Sequence, residues 1–400
     1  MIHIFYVTAT CSRKPCRTFF ERFVSKKLNP TVPEKGTKKK KILVLCPSPK
    51  GTAATQRLKY EQYFPYLEKE GYAFTISSFQ TPRFWKIIYK EEKIFEKVLW
   101  VLAGYLKRFF DLLRAPFYDG IFVNLWVTPL GFPFYERLLF LFNKKVIYDL
   151  DDMIFLKHAG TGANGLIEKF KGKKKPIVLM RKAKYVIVCT PKLEEIALAL
   201  NKYKRVIDIS STLDTQRFTA VKKYVHHDVT TIGWTGTHST IPFLESLQPV
   251  LAELSKRSRI KLLVISNKEY YMKNVVTEFI PWRESSEIED LHRMEIGLYP
   301  TTHDEWSLGK SSLKALTYMA IGIPVVATAY GTNYRIMEHG VHGFLAFTEE
   351  EWLKSLSTLV NDIDLRRRMG TEGRKRVEQM FSIEANFQKY FNVFDTVTAT

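Results

Sequence analysis

Two lysines, two serines and a glycine turn stand together in GKSSLK, residues 309 to 314, at the mouth of an apolar segment. The strand-like EIGLYP precedes them, the loop THDEWSLGK follows it, and a helix is expected from about Ser311. The free N–H groups and positive dipole end of that helix should therefore point into a crevice at the carboxyl end of a sheet. An anion is the natural occupant. Lys310 and Lys314 are four apart and share one helical face, while Ser311 and Ser312 offer hydroxyls or a cap. The loop GWTGTHST, 233 to 240, looks like half of a phosphate cradle, with glycines for close backbone approach and Ser or Thr leading into a helix. Two such loops in one domain point to a nucleotide diphosphate, against the plainer reading of a capped, exposed helix kept soluble by its lysines.

A third stretch, VIYDLDDMIF at 146 to 155, puts Asp149, Asp151 and Asp152 where an apolar strand ends. Strand alternation places Asp149 and Asp151 on one face and leaves Asp152 to turn into the loop. Such carboxylates could bind a metal, serve as a base or grip sugar hydroxyls, or simply cap the next segment.

The elements that must position these groups come in two runs. KILVLCPSP at 41 to 49 reads as a buried parallel strand and its loop, followed by a helix over roughly Thr55 to Glu70. GIFVNLWV, KKVIYDLDD and KYVIVCT then alternate with helical stretches, as in a doubly wound parallel sheet. From TTIGWTGTHST the pattern restarts, with a helix around Ile241 to Lys256 and the strands IKLLVIS, EIGLYP and IPVVAT. EEEWLKSLSTLV and RRRMGTEGRKRVEQMF follow as terminal helices. The expected domains are a disordered tail over 1–40, a first α/β domain over 41–220, a linker over 221–228, a second over 229–380 and a last helix over 381–400.

The bulk properties narrow the class. The chain has 400 residues, 46% hydrophobic and 14% aromatic, enough for two cores. Cys11, Cys16, Cys46 and Cys189 have no metal-binding spacing, and two lie in predicted buried strands, so no disulfide is expected and the chain reads as cytoplasmic. No run reaches the roughly 18 to 20 apolar residues of a membrane span. The net charge of +20 calls for a polyanion, yet there is no zinc finger, RNA-recognition motif or arginine-rich helix, so nucleic acid is not the expected partner. Residues 92–117, EKIFEKVLWVLAGYLKRFFDLLRAPF, place Phe, Leu, Trp and Val against Lys and Arg at helical spacing. That helix suits an anionic membrane surface, or else packs on the sheet with a solvated basic face.

EWSLGKSSLKALTYMAIGIPVVATAYGTNYRIMEHGVHGFLA is similar to the donor-binding signature of retaining glycosyltransferases of GT-B fold, in the large fourth family that holds many bacterial cell-surface sugar transferases. IGWTGTHSTIPFL, RLKYEQYFPYLEKEGY, TPLGFPFYERLL and YDLDD resemble motifs of one branch of that family, and the likeness covers nearly everything after residue 41. It implies two facing Rossmann-like domains, α/β throughout, with a C-terminal helix crossing back to the first. The nucleotide-sugar donor would lie on the second domain and a glycan or lipid-linked acceptor mainly on the first.

Carried over by position, Lys310, Ser311, Ser312 and Lys314 would hold the donor diphosphate. Gly233, Trp234, Thr235, Gly236 and Thr237 would help, and the nucleobase would lie near Phe279 to Trp282. Asp151 and Asp152 would face the transferred sugar, making them catalytic together with Lys310, and Gly51, Thr52 and Arg57 would lie on the acceptor side. The family's paired glutamates fall on Gly309 and Thr317, leaving Thr317 and Glu305 to meet the donor's sugar hydroxyls. The branch's usual Arg-Glu pair falls on Leu125 and Trp126, and another frequent glutamate on Arg335. The resemblance implies neither metal nor cofactor. It also implies work at the inner face of the cell membrane on a surface polysaccharide or lipid-linked sugar. The rival readings are a non-catalytic sugar-nucleotide-binding partner of a transferase complex and a GT-B nucleotide-sugar epimerase.

Overall fold

The computed structural model describes residues 38–88, 92–156, 172–220 and 228–399. The expected tail up to residue 37 and most of the linker lie outside the described residues. From residue 39 onward the chain forms one compact unit.

That unit is built on two wholly parallel sheets of six strands. The first contains β1 (Lys40–Cys46), β2 (Tyr72–Ser78), β3 (Gly120–Asn124), β4 (Val146–Asp149), β5 (Tyr185–Val188) and β6 (Val206–Asp208), in the order β2-β1-β3-β4-β5-β6. The second contains β7 (Thr230–Gly236), β8 (Ile260–Ser266), β9 (Thr277–Pro281), β10 (Ile296–Tyr299), β11 (Val325–Thr328) and β12 (Gly343–Ala346), in the order β12-β11-β10-β7-β8-β9. The apolar runs read from the sequence are these strands: β3, β4 and β10, for example, are buried along their whole length, as strands covered on both faces must be. The strand order reverses between β1 and β3 and again between β7 and β10, and loops at the carboxyl ends of such neighbours part to leave a crevice. Thr237 follows the carboxyl end of β7, Lys310 lies beyond that of β10, and Asp151 and Asp152 follow that of β4.

Numbering helices of eight or more residues, the chain forms α1 (Ile94–Arg114), α2 (Phe134–Phe142), α3 (Lys174–Lys182), α4 (Pro191–Leu200), α5 (Gln248–Arg257), α6 (Leu313–Ala320), α7 (Glu349–Asn361), α8 (Ile363–Arg376) and α9 (Ile383–Thr398). Two expected helices are broken. Thr55 to Glu70 becomes the short turns Ala54–Arg57, Glu61–Tyr63 and Phe64–Lys69, where Pro65 withdraws a backbone donor and Lys59 turns inward. Ile241 to Lys256 splits into Ile241–Glu245 and α5, with Pro249 in the first turn of the latter. At the other end α9 lies on the first sheet, its Ile383, Tyr390, Val393, Phe394 and Val397 buried with Ile42, Val44 and Phe122, and Lys40 pairs with Asp395 at 3.0 Å.

Helix α1 is inverted relative to an ordinary surface helix. Phe95, Val98, Leu99, Leu102, Leu106, Phe109, Phe110 and Leu113 form an exposed stripe at helical spacing. The buried side carries Arg108 and Asp111. Arg108 is fully enclosed, donating to the carbonyls of Cys46 and Val127 at 2.8 and 2.9 Å, to Ser77 Oγ at 2.9 Å and to Asp111 Oδ2 at 2.8 Å. These bonds tie α1 to the ends of β1 and β2 and to the loop after β3, which is why a cation faces inward. The alternative of a helix with a solvated basic face is therefore corrected: its solvent face is apolar. Among the described residues no helix is long and apolar enough to cross a membrane.

Candidate functional site

The loops that leave β4 and β10 meet across the space between the sheets. Lys310, just before α6, reaches from the second half to the first and pairs with Asp152 Oδ2 at 2.7 Å, its ammonium 3.5 Å from the centre of the Trp306 ring. Burial raises the Asp152 carboxyl above the ordinary aspartate range, and Lys310 pulls it back down. Gly309 makes the approach possible, since a Cβ there would stand 2.7 Å from Met153 Cγ. A second tie joins the halves beside it, where Ser211 Oγ donates to Ser311 Oγ at 2.7 Å. Next to the ion pair opens a cleft of about 310 Å³, walled by Trp126, Leu130, Asp152, Met153 and Lys173 of the first half and by Trp306 of the second. Leu125, which precedes Trp126, holds a φ of 60° at the end of β3, a costly setting for a residue with a Cβ.

Lys314 is the other cation at this mouth. Its ammonium donates to Thr240 Oγ1 at 3.0 Å and lies 4.6 Å from the Trp234 ring centre, with no carboxylate among the described residues paired to it. Lost hydration, and then the nearby Lys310, pull its pKa down to about 7. A Cβ at Gly236 would stand 2.5 Å from that ammonium, so the glycine makes room for the lysine. Lys314 thus sits beside the loop after β7 and Lys310 beside the loop after β4; they do not share a helical face as expected, because Lys310 is extended and the helix begins only at Leu313.

Several candidates take other places. Gly233 through Gly236 belong to β7, paired in register with Leu263 through Ser266, so the expected loop begins only at Thr237. Gly233 is packed against Met294, Trp234 is core, and the Thr235 N–H donates to Tyr318 Oη at 2.8 Å. Thr237, exposed, shares a hydrogen bond of 2.9 Å with Ser239. α6 starts at Leu313, later than expected, and Ser312 does not cap it by its side chain. Ser312 is left-handed at φ 58° and its hydroxyl donates to Asn333 Oδ1 at 2.7 Å. The Thr317 hydroxyl turns back to donate to the Leu313 carbonyl at 2.9 Å, and Glu305 is exposed. Trp282 donates to Glu287 at 3.3 Å.

On the first half, β4 ends at Asp149, so alternation does not carry Asp149 and Asp151 to one face. Asp149 is fully buried, paired with the equally buried Lys59 at 2.8 Å and accepting from Asn124 Nδ2 at 2.9 Å. Burial raises its pKa to about 6, opposed by Lys59. Its work is structural. Asp151 follows in the loop after β4, and its buried Oδ1 has no hydrogen-bond partner among the described residues. Of the acceptor-side candidates, the Gly51 N–H donates to Glu61 at 2.8 Å and the Thr52 hydroxyl to the Pro49 carbonyl at 2.7 Å. Arg57 is enclosed and committed to Glu287, with contacts of 3.1 to 3.2 Å, and to Glu284 at 3.2 Å, which makes it a tie between the halves. Arg335 makes a similar tie to Asp208. Among the described residues no three His, Cys, Asp or Glu side chains gather as metal ligands.

Sequence reasoning passed over Trp306, Ser211 and Lys59. Trp306 stands four residues before Lys310, which was a usable signal; Ser211 and Lys59 meet partners 100 and 90 residues away, which no local pattern announces.

Residues 230–362 match the family model described as glycosyl transferases group 1. The fold is that of GT-B proteins, and the second half carries a glycosyl transferases group 1 domain. Among solved structures, the sucrose-phosphate synthase (tll1590) of Thermosynechococcus elongatus is 16% identical, spans 90% of this chain and 100% of its own, and superposes with a TM-score of 0.67. A glycosyltransferase from Rickettsia africae ESF-5 is 13% identical over 90% of this chain and 99% of its own, with a TM-score of 0.63. Anabaena Alr3699/HepE, solved in complex with UDP and glucose, is 15% identical over 89% and 100%, with a TM-score of 0.59. At these identities the likeness is one of fold. No curated protein sequence matches the chain.

Proposed function

We propose that this protein transfers a sugar, with retention and without a metal, from a nucleoside-diphosphate sugar to a glycan or lipid-linked acceptor of the cell surface. The observation that carries the reading is the meeting of Lys310 and Asp152 from opposite halves, at the start of α6 and beside an open cleft. In this reading the donor diphosphate lies along the α6 N-terminus, where N–H groups and helix dipole favour negative charge, with Lys310 and Lys314 on either side. UDP is the first nucleotide to try, since HepE binds it in the same fold. The acceptor enters from the cleft at Trp126 and Trp306. Its hydroxyl oxygen bonds to the anomeric carbon as the bond to the diphosphate breaks on the same face, and its proton passes to the departing phosphate oxygen. Lys310 takes up the charge that develops there, and Asp151, with an unpartnered oxygen, receives a hydroxyl of the transferred sugar.

The protein works on the cytoplasmic side of a membrane, with the apolar stripe of α1 resting in the lipid interface. A thermal-shift series of nucleoside diphosphates and their sugars tests the donor site, because a ligand of the folded state raises the melting temperature. Lys310→Ala should remove the shift and cut transfer by about a hundredfold to a thousandfold, the usual loss for one transition-state charge contact. Stabilisation by no nucleotide overturns the donor site; a shift with no transfer to any extract leaves a binding protein.

A further inference from the structure

A second cavity lies behind the cleft, of about 520 Å³. Its walls are Phe132, Pro133, Phe134, Ile177 and Val178, and among the described residues the only charged side chains on it are Arg137, Lys174 and Arg181. Two aromatic rings here are turned to water, Phe132 at 86% and Phe134 at 64% exposure, which is unusual for a surface that nothing covers. The lining is therefore hydrocarbon edged by cations, with no carboxylate among them.

Its position gives that chemistry a direction. Pro129 and Leu130 line the cleft, and Phe132 to Phe134 line the cavity; Lys173 and Pro176 line the cleft, and Lys174 and Ile177 the cavity. One loop and the first turn of α3 thus form a partition with the reacting groups on one side and the apolar chamber on the other. α2, which carries Phe134 and Arg137, also packs against α1, the helix that presents its apolar stripe outward. A lipid leaving a bilayer beneath α1 would meet this chamber before it met Asp152.

We infer that the cavity holds a hydrocarbon chain of an anionic, phosphate-bearing lipid, with Arg137, Lys174 and Arg181 on its phosphate. The lipid's sugar-bearing end then passes the α3 partition into the cleft. The inference rests on the transferase reading above and deepens it, naming a lipid phosphate as the acceptor's carrier. A soluble glycan would leave the aromatic walls and their cations without a purpose in common.

The test uses the full chain with vesicles of phosphatidylcholine doped with phosphatidic acid that bears a diazirine on its acyl chain. Irradiation should label peptides spanning 132–137 and 174–181. Val178→Trp, which fills the chamber, should reduce that labelling severalfold, and so should Lys174→Glu with Arg181→Glu. Melting curves confirm that the variants fold, and the nucleotide shift is measured on the same preparations. Labelling confined to the α1 stripe, or equal labelling from diazirine-bearing phosphatidylcholine, overturns the inference. So does an undiminished signal in folded Val178→Trp. A retained nucleotide shift without cavity labelling removes the lipid site and leaves the transferase reading standing, whereas a missing shift counts against that reading alone.

Discussion

Asp152→Asn should tighten nucleoside-diphosphate binding while slowing transfer. In the ligand-free protein the Lys310 ammonium is already engaged by Asp152 at 2.7 Å, with the two side chains 29% and 25% exposed. A diphosphate arriving at the start of α6 must draw the lysine away, or share it with a carboxylate of its own sign. A hydrogen bond to a charged group at such a site is worth about 1.5–3 kcal/mol, and a neutral amide keeps roughly half of that. About 1 kcal/mol of competition is thereby lifted, or roughly a fivefold fall in Kd. Titration calorimetry with UDP measures it directly. The raised pKa of Asp152 adds a second signature. As pH falls and Asp152 takes a proton, wild-type affinity should climb, and in Asp152→Asn only the part of that climb due to Lys314 should remain. Weaker or unchanged binding by Asp152→Asn would refute the competition and put Asp152 among the groups that hold the donor.

Lys314 should make binding proton-linked: its free pKa of about 7 lies below that of a lysine facing a diphosphate, so affinity should fall as pH rises above 7. Calorimetry in buffers of different ionisation enthalpy should show proton uptake near pH 8, absent in Lys314→Met. The Lys59–Asp149 pair should dominate the stability of the first half. Removing either partner strands a buried charge at a cost of about 3–5 kcal/mol, seen in denaturant unfolding, and Lys59→Met with Asp149→Leu should recover most of it.

The sheets were legible because parallel strands buried on both faces are apolar runs, as KILVLC and VIYD are. The α6 mouth was legible as well, since a strand, a glycine turn and a lysine-bearing helix start follow one another directly. What escaped is what periodicity does not encode. The stripe of α1 has the same spacing whether it faces the core or water, and only the bonds of Arg108 to β1 and to the loop after β3 decide which. Asp149 and Asp152 are three residues apart and alike in type, yet one is buried on Lys59 and the other faces Lys310, a difference set by partners remote in sequence. Gly233 read as part of a loop because a glycine can serve a turn or a close contact, and here it serves the contact with Met294.

Helix α9 has a consequence for how the protein is made. The first sheet is complete in sequence by Asp208, yet one of its faces is covered by residues 383–398, which are made only after the whole second sheet. A ribosome-bound chain therefore carries β1 to β6 with Ile42, Val44 and Phe122 open on that side until residues 383–398 have been made, while the second sheet, from β7 to β12, can close over its own core beforehand. The half that emerges first is finished last, and a nascent chain stalled before Ile383 should be a strong client for holding chaperones.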